Sequence, residues 1–208
     1  MRFAAISILA LLTTLMGCSS VSEYDLILRN GTLYDGKGKD PLVGDVAIRG
    51  DRIAAVGSLK GVRARREIDV TGLAVAPGFI NMLSWATESL ITDGSGQSDI
   101  RQGVTLEIMG EGLSMGPLNE TMKKELKEQQ GDIKYDIEWT TLDEYLEFLT
   151  ARGVSPNVAS FVGATTVRIH EMGYEDRAPT SQELDRMCSL VRQAMEEGAL
   201  GVASALIY

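Results

Sequence analysis

A chain of 208 residues, 44% hydrophobic and 24% charged, can bury one sizeable core or a domain plus part of another, and it is too apolar for a disordered tail. Twenty basic against 29 acidic residues give a formal charge of -9, and the one basic cluster is Arg63 to Arg66, so nucleic-acid binding by electrostatic grip is excluded. Two cysteines, Cys18 and Cys188, cannot build a disulfide framework or a four-thiolate metal site, and a lone histidine, His170, excludes any centre that needs two imidazoles from this chain alone.

Residues 1–17 read as an export signal: one charge at Arg2, an apolar run from Ala4 to Met16, then small residues. The tetrad Leu15-Met16-Gly17-Cys18 is similar to a bacterial lipobox, in which Cys18 is acylated and becomes the mature N-terminus; an ordinary signal with a cysteine nearby is the alternative. Acylation at Cys18 predicts an exported protein tethered to a membrane surface of the cell envelope. No other apolar run reaches the ~18 residues a bilayer span needs.

Residues 18–76 alternate short apolar runs with turn signals. Tyr24 to Leu28, Thr32 to Tyr34, Asp45 to Ile48, Ile53 to Val56, Ile68 to Val70 and Leu73 to Ala76 are predicted strands, separated by Asn30-Gly31, Asp35-Gly36, Gly50-Asp51 and Thr71-Gly72. This is a small β segment. From residue 77 the period changes. Phe79 to Leu83, Val104 to Met109, Val158 to Val162 and Leu200 to Ala205 are unalternating apolar runs, as strands covered on both faces require, and they alternate with helical stretches.

Two of those helices open on capping boxes, Thr141 to Glu144 and Thr180 to Glu183. Past Leu184, apolar positions Met187, Cys188, Val191, Ala194 and Met195 recur at helical spacing, which predicts Cys188 in the core. Glu120 to Asp132 is charged enough for a solvated helix or excursion. Strand, helix, strand repetition predicts parallel βα units. The fold class expected is therefore α/β. Residues 77–208 amount to about half of the ~250 residues of a (β/α)8 barrel, so the expectation is a partial barrel in the N-terminal part of a longer polypeptide, or a truncated reading frame.

Several stretches together resemble the amidohydrolase superfamily, and more closely its N-acyl-D-amino-acid deacylases. They are Tyr24 to Thr32, Asp35-Gly36, Ile48 to Gly57, Val75-Ala76-Pro77-Gly78-Phe79-Ile80, Arg101 to Thr105 and Glu197 to Gly201. The resemblance implies a small β-sandwich beside a barrel and a metal-dependent hydrolase of acyl amide C–N bonds, with an acylated amino acid as substrate and a divalent, zinc-like metal as cofactor. In such a site a His-x-His pair ends the first barrel strand, because residues i and i+2 project to one side. The metal polarises the carbonyl and acidifies a bound water.

This sequence departs from that pattern at three strands. The paired histidines match Leu83 and Trp85. Where the deacylases show Gly-Asn-Cys-Gly, the chain has Gly110-Glu111-Gly112, and a third ligand position falls on Ala164. Glu111 is the candidate oxygen ligand, with a solvated or helix-capping glutamate as the alternative. Glu107 either shares its face or is buried against a barrel lysine or arginine. His170 is predicted in a loop before Thr180, outside any metal site. Trp85, Met82, Met109 and Met115 either wall an acyl-binding mouth or pack the core. Neither Asp93 to Gly96 nor Glu111 to Ser114 is a phosphate-cradling loop.

These readings leave three possibilities: an exported amidohydrolase, inactive as this isolated chain; a membrane-tethered, metal-free binding protein on the same fold; and a remnant without a stable fold.

Overall fold

The computed structural model describes residues 23–205. The export signal, the lipobox and Cys18 lie outside them. The chain divides into two units, Met1–Pro77 and Gly78–Tyr208. Among the described residues no helix is long and apolar enough to cross a membrane.

In the first unit, strands β1 (Tyr24–Leu33), β2 (Leu42–Arg49), β3 (Arg52–Gly57), β4 (Ala64–Asp69) and β5 (Ala74–Val75) form a single sheet in the order β3-β2-β1-β4, with β5 also on β1. The expected turn at Asn30-Gly31 is instead a bulge inside one ten-residue strand. Asn30 takes φ 61°, and the register against β2 steps between Leu28 and Gly31. A left-handed Asn serves a bulge as well as a turn.

Asp45 pins that bulge. Its carboxylate accepts the backbone N–H of Asn30 (2.9 Å) and of Leu59 (3.0 Å), and an N–H of the Arg29 guanidinium (3.2 Å). Burial pushes the Asp45 carboxyl up, but these donors outweigh it and hold it below the usual range. Gly50, with φ 60°, makes the β2–β3 turn where it was expected. The Arg63 to Arg66 cluster reaches into β4, an edge strand whose charged side chains discourage pairing with another chain. One sheet layer, not two, is formed by the described residues of this unit.

The second unit is built from parallel βα units, as expected. β6 (Phe79–Asn81), β7 (Val104–Met109) and β8 (Asn157–Ser160) pair side by side in chain order. β9 (Val162–Gly163) follows after Phe161 and pairs in parallel with β10 (Val202–Ala203). The run Val158 to Val162 is thus two strands, and the run from Phe79 leaves the sheet after Asn81.

Short helices α1 (Ser89–Thr92) and α2 (Gln97–Ile100) connect β6 to β7. α3 (Glu120–Gln129) and α4 (Leu142–Arg152) connect β7 to β8, and α5 (Ala164–Met172) and α6 (Ser181–Glu196) precede β10. Both expected capping boxes are present, at Thr141 and Thr180. Asn119 caps α3 by accepting the Met122 N–H at 3.0 Å.

The core of this unit gathers on Trp139. Its ring lies 5.1 Å from that of Tyr145 and 4.9 Å from that of Phe148, with Tyr135 stacked at 6.1 Å. Its indole N–H donates to the Met115 carbonyl at 2.6 Å, and the Tyr145 hydroxyl donates to the Thr87 carbonyl at 2.8 Å. One aromatic cluster on and just before α4 thereby fixes both the segment after β6 and the segment after β7. Burial raises the Tyr145 phenol above its ordinary value.

Two expectations fail here. Cys188 is exposed. α6 carries two apolar stripes, and the inner one is Met187, Leu190, Val191 and Ala194, while Leu184, Cys188 and Met195 face out. His170 lies in helix α5, not in a loop.

Candidate functional site

The residues at the C-terminal ends of the parallel strands are placed by hydrogen bonds that the strands direct. After β6, Asn81 Oδ1 accepts the Leu83 N–H (3.2 Å), and the Ser84 N–H donates to the Ile108 carbonyl on β7 (2.9 Å). Leu83 and Trp85 are 52% and 60% exposed, with Ser84 buried between them. The segment bends away from the sheet here, and Met82, Leu83 and Trp85 are all exposed.

After β7 the chain turns through Gly110 (φ 92°) and Gly112 (φ 70°). A Cβ on Gly110 would sit 2.1 Å from the Phe161 carbonyl oxygen, so only glycine fits. The loop beyond is stitched to the β9–α5 junction. The Thr165 N–H donates to the Gly112 carbonyl (3.0 Å), the Ser114 N–H to Thr166 Oγ1 (2.7 Å), and the Gly163 N–H to Ser114 Oγ (2.9 Å).

These ends, with α3 and α5, line an open cavity of about 620 Å³. Its strand-end side is Ser84, Trp85, Gly110, Glu111 and Thr165. Its flanks include Met115, Leu118, Met122, Leu126 and Ile169, and its rim includes Glu125, Arg168, Tyr174, Glu175 and Asp176. Of the residues singled out in the sequence, Trp85, Glu111 and Met115 line it, whereas Leu83, Ala164, Met82 and Met109 do not. Met109 is core and touches the Tyr145 hydroxyl through its sulfur at 3.7 Å. Met82 is exposed. Ala164 is the first residue of α5.

Glu107 is buried, 1% exposed, but its partner is not a lysine or arginine. Asn81 Nδ2 donates to Oε2 at 3.0 Å, across the β6–β7 register, while Oε1 has no hydrogen-bond partner among the described residues. His170 turns away from the cavity. Its Nδ1 lies 3.0 Å from Glu171 Oε1, and the other Glu171 oxygen meets Arg186. Burial raises the Glu171 carboxyl, and Arg186 and His170 outweigh it to leave it low. Arg168, Ile169, Met122 and Leu126 are lining residues that the sequence does not single out, because α5 opens without a capping signal and α3 is mostly charged. The signal for α3 is present in Met122 and Leu126, one turn apart on that charged helix.

A divalent metal does not fit the residues present. Among the described residues no group of three His, Cys, Asp or Glu side chains is placed to hold one. Glu111 lines the cavity.

No family model matches the chain. It is 34% identical over 197 residues to the D-aminoacylase of Alcaligenes xylosoxydans xylosoxydans, covering 93% of this chain and 40% of that protein. It is 31% identical over 188 residues to the N-acyl-D-aspartate deacylase of the same organism, covering 90% and 38%. Among solved structures, a D-aminoacylase defining a subset of amidohydrolases superposes with TM-score 0.76 at 35% identity, covering 89% of this chain and 39% of that one. The N-acyl-D-glutamate deacylase of Bordetella bronchiseptica, complexed with zinc and a phosphonate mimic of the tetrahedral intermediate, gives 0.75 at 28% identity, with the same coverage. D-aminoacylase itself carries a binuclear metal center. The chain spans about two fifths of the length of these relatives. Over nearly its whole described length the chain is homologous to the D-aminoacylase group of the amidohydrolase superfamily.

Proposed function

We propose that the cavity is an acyl-amide site of the deacylase type. In this reading the polypeptide holds an N-acyl amino acid and does not by itself hydrolyse its C–N bond. The second unit is then the first part of a (β/α) barrel, and the first unit is one layer of a β-sandwich. The observation that carries the reading is the cavity's position, assembled from the C-terminal ends of successive parallel strands, where barrel enzymes bind their substrates.

Glu111 and the hydroxyls of Ser84 and Thr165 offer polar partners to an amide at the strand ends, and the flanks accept the apolar part of the ligand. Calorimetric titration of the purified chain with N-acetyl-D-leucine, followed by assay for free leucine, tests this. Binding without release of leucine is expected. Absence of binding overturns the site, and release of leucine overturns the inactivity.

Leu83, Trp85 and Ala164 favour a second reading, a metal-free binding protein tethered to the cell envelope through acylated Cys18. Expressed from its own gene, the protein then enters the detergent phase on Triton X-114 partitioning, and Cys18→Ala moves it to the aqueous phase. An aqueous native protein would refute the anchor.

A further inference from the structure

Resting on the acyl-amide reading of the cavity, we infer that its ligand carries a long alkyl acyl group, octanoyl or longer, laid between Trp85 and the apolar face of α3. Size is the first reason. The cavity of about 620 Å³ holds roughly twenty non-hydrogen atoms at ~30 Å³ each. An acetylated amino acid of ordinary size occupies only about half of that.

Chemistry along the cavity is the second. Between the strand ends and the rim the lining is Met115, Leu118, Met122, Leu126 and Ile169. Met122 and Leu126 lie one turn apart on α3, whose other side chains are largely charged; this apolar stripe packs on the core of the unit and also lines the cavity. Methionine thioethers adapt to a flexible alkyl chain better than to a rigid group. Third, Trp85 lines the cavity yet is 60% exposed. A large aromatic surface left open in a concave site gains most from an apolar cover.

The rim decides which end of the ligand goes there. It carries Glu125, Glu175 and Asp176 against Arg168. The Arg168 guanidinium already donates to the carbonyls of Glu175 (2.7 Å) and Arg177 (2.8 Å). A free α-carboxylate is repelled from such a rim, whereas an uncharged alkyl chain running toward it is not. The acyl tail therefore lies along α3, with the amide at the strand ends beside the hydroxyls of Ser84 and Thr165.

The test is calorimetric titration of the purified chain with N-acetyl-, N-octanoyl- and N-dodecanoyl-D-leucine and with sodium octanoate, while tryptophan emission is followed. The octanoyl compound is expected to bind one equivalent at least about 100-fold more tightly than the acetyl one, since each buried methylene is worth roughly threefold to fourfold. Emission shifts to the blue as Trp85 is covered. Leu126→Asp lowers the octanoyl-to-acetyl affinity ratio at least tenfold; should that variant not fold, the native ratio and the blue shift still decide.

Equal affinity for acetyl and octanoyl compounds overturns the long-chain assignment and leaves the acyl-amide site standing. Octanoate binding as tightly as octanoyl-D-leucine also overturns it, in favour of a fatty-acid slot. Failure of every N-acyl compound to bind overturns the acyl-amide site itself.

Discussion

Trp139→Ala is expected to lower the unfolding free energy by about 4 kcal/mol, while Trp85→Ala changes it by only ~0.5 kcal/mol. The two tryptophans have the same chemistry and opposite surroundings. Trp139 is 1% exposed and touches three aromatic rings. Removing it opens a cavity among Tyr135, Tyr145 and Phe148, which α4 and its neighbouring segments cannot close without moving. It also leaves the Met115 carbonyl, which accepts the indole N–H, without that partner, and loss of such a bond adds ~1 kcal/mol. Domain stabilities run to about 5–15 kcal/mol, so this single change removes a large part of the total. Urea midpoints of the two variants against the native chain measure the difference. Equal losses would mean that the aromatic cluster is not the anchor of the second unit.

The other large effect is a gain. Leu83→His combined with Trp85→His is expected to create zinc binding at least about 100-fold tighter than that of the native chain, because two exposed imidazoles two residues apart can close on one ion. Leu83 and Trp85 are both exposed, on either side of buried Ser84. Glu111 shares the cavity with Trp85 and supplies an oxygen ligand. Zinc titration of the double variant, and of a triple variant that adds Glu111→Gln, checks the geometry. The glutamine is expected to cancel most of the gain, since a neutral amide is a poor zinc ligand. A double variant that binds no better than the native chain would show that positions 83 and 85 do not converge.

Much of this is legible in the residues, and the failures have physical causes. Parallel βα units follow from unalternating apolar runs, and α4 and α6 from their capping boxes, because both signals are local. α5 carries neither. Its N-cap is Gly163, which offers no side-chain acceptor, so nothing in the sequence before His170 marks a helix start. Asn30-Gly31 misleads for another reason. A residue at positive φ serves a bulge and a turn alike, and only the Asp45 carboxylate, fifteen residues on, settles which.

Cys188 falls outside the core because α6 has two apolar stripes, and periodicity alone does not say which one a neighbour covers. The cavity is the least legible feature. Its shape depends on bonds such as Ser114 N–H to Thr166 Oγ1, between residues 52 apart in sequence, and on glycines at 110 and 163 whose need is set by backbone from other loops. The readings at Leu83, Trp85 and Glu111, in contrast, come from the residues set against the resemblance.

The central claim is that these residues hold an acylated amino acid without holding a hydrolytic metal. Isothermal titration of the native purified chain with zinc chloride at neutral pH, with N-octanoyl-D-leucine present and free leucine assayed afterwards, tests it most directly. No stoichiometric zinc binding and no released leucine are expected. One equivalent of tightly bound zinc accompanied by leucine release would contradict it.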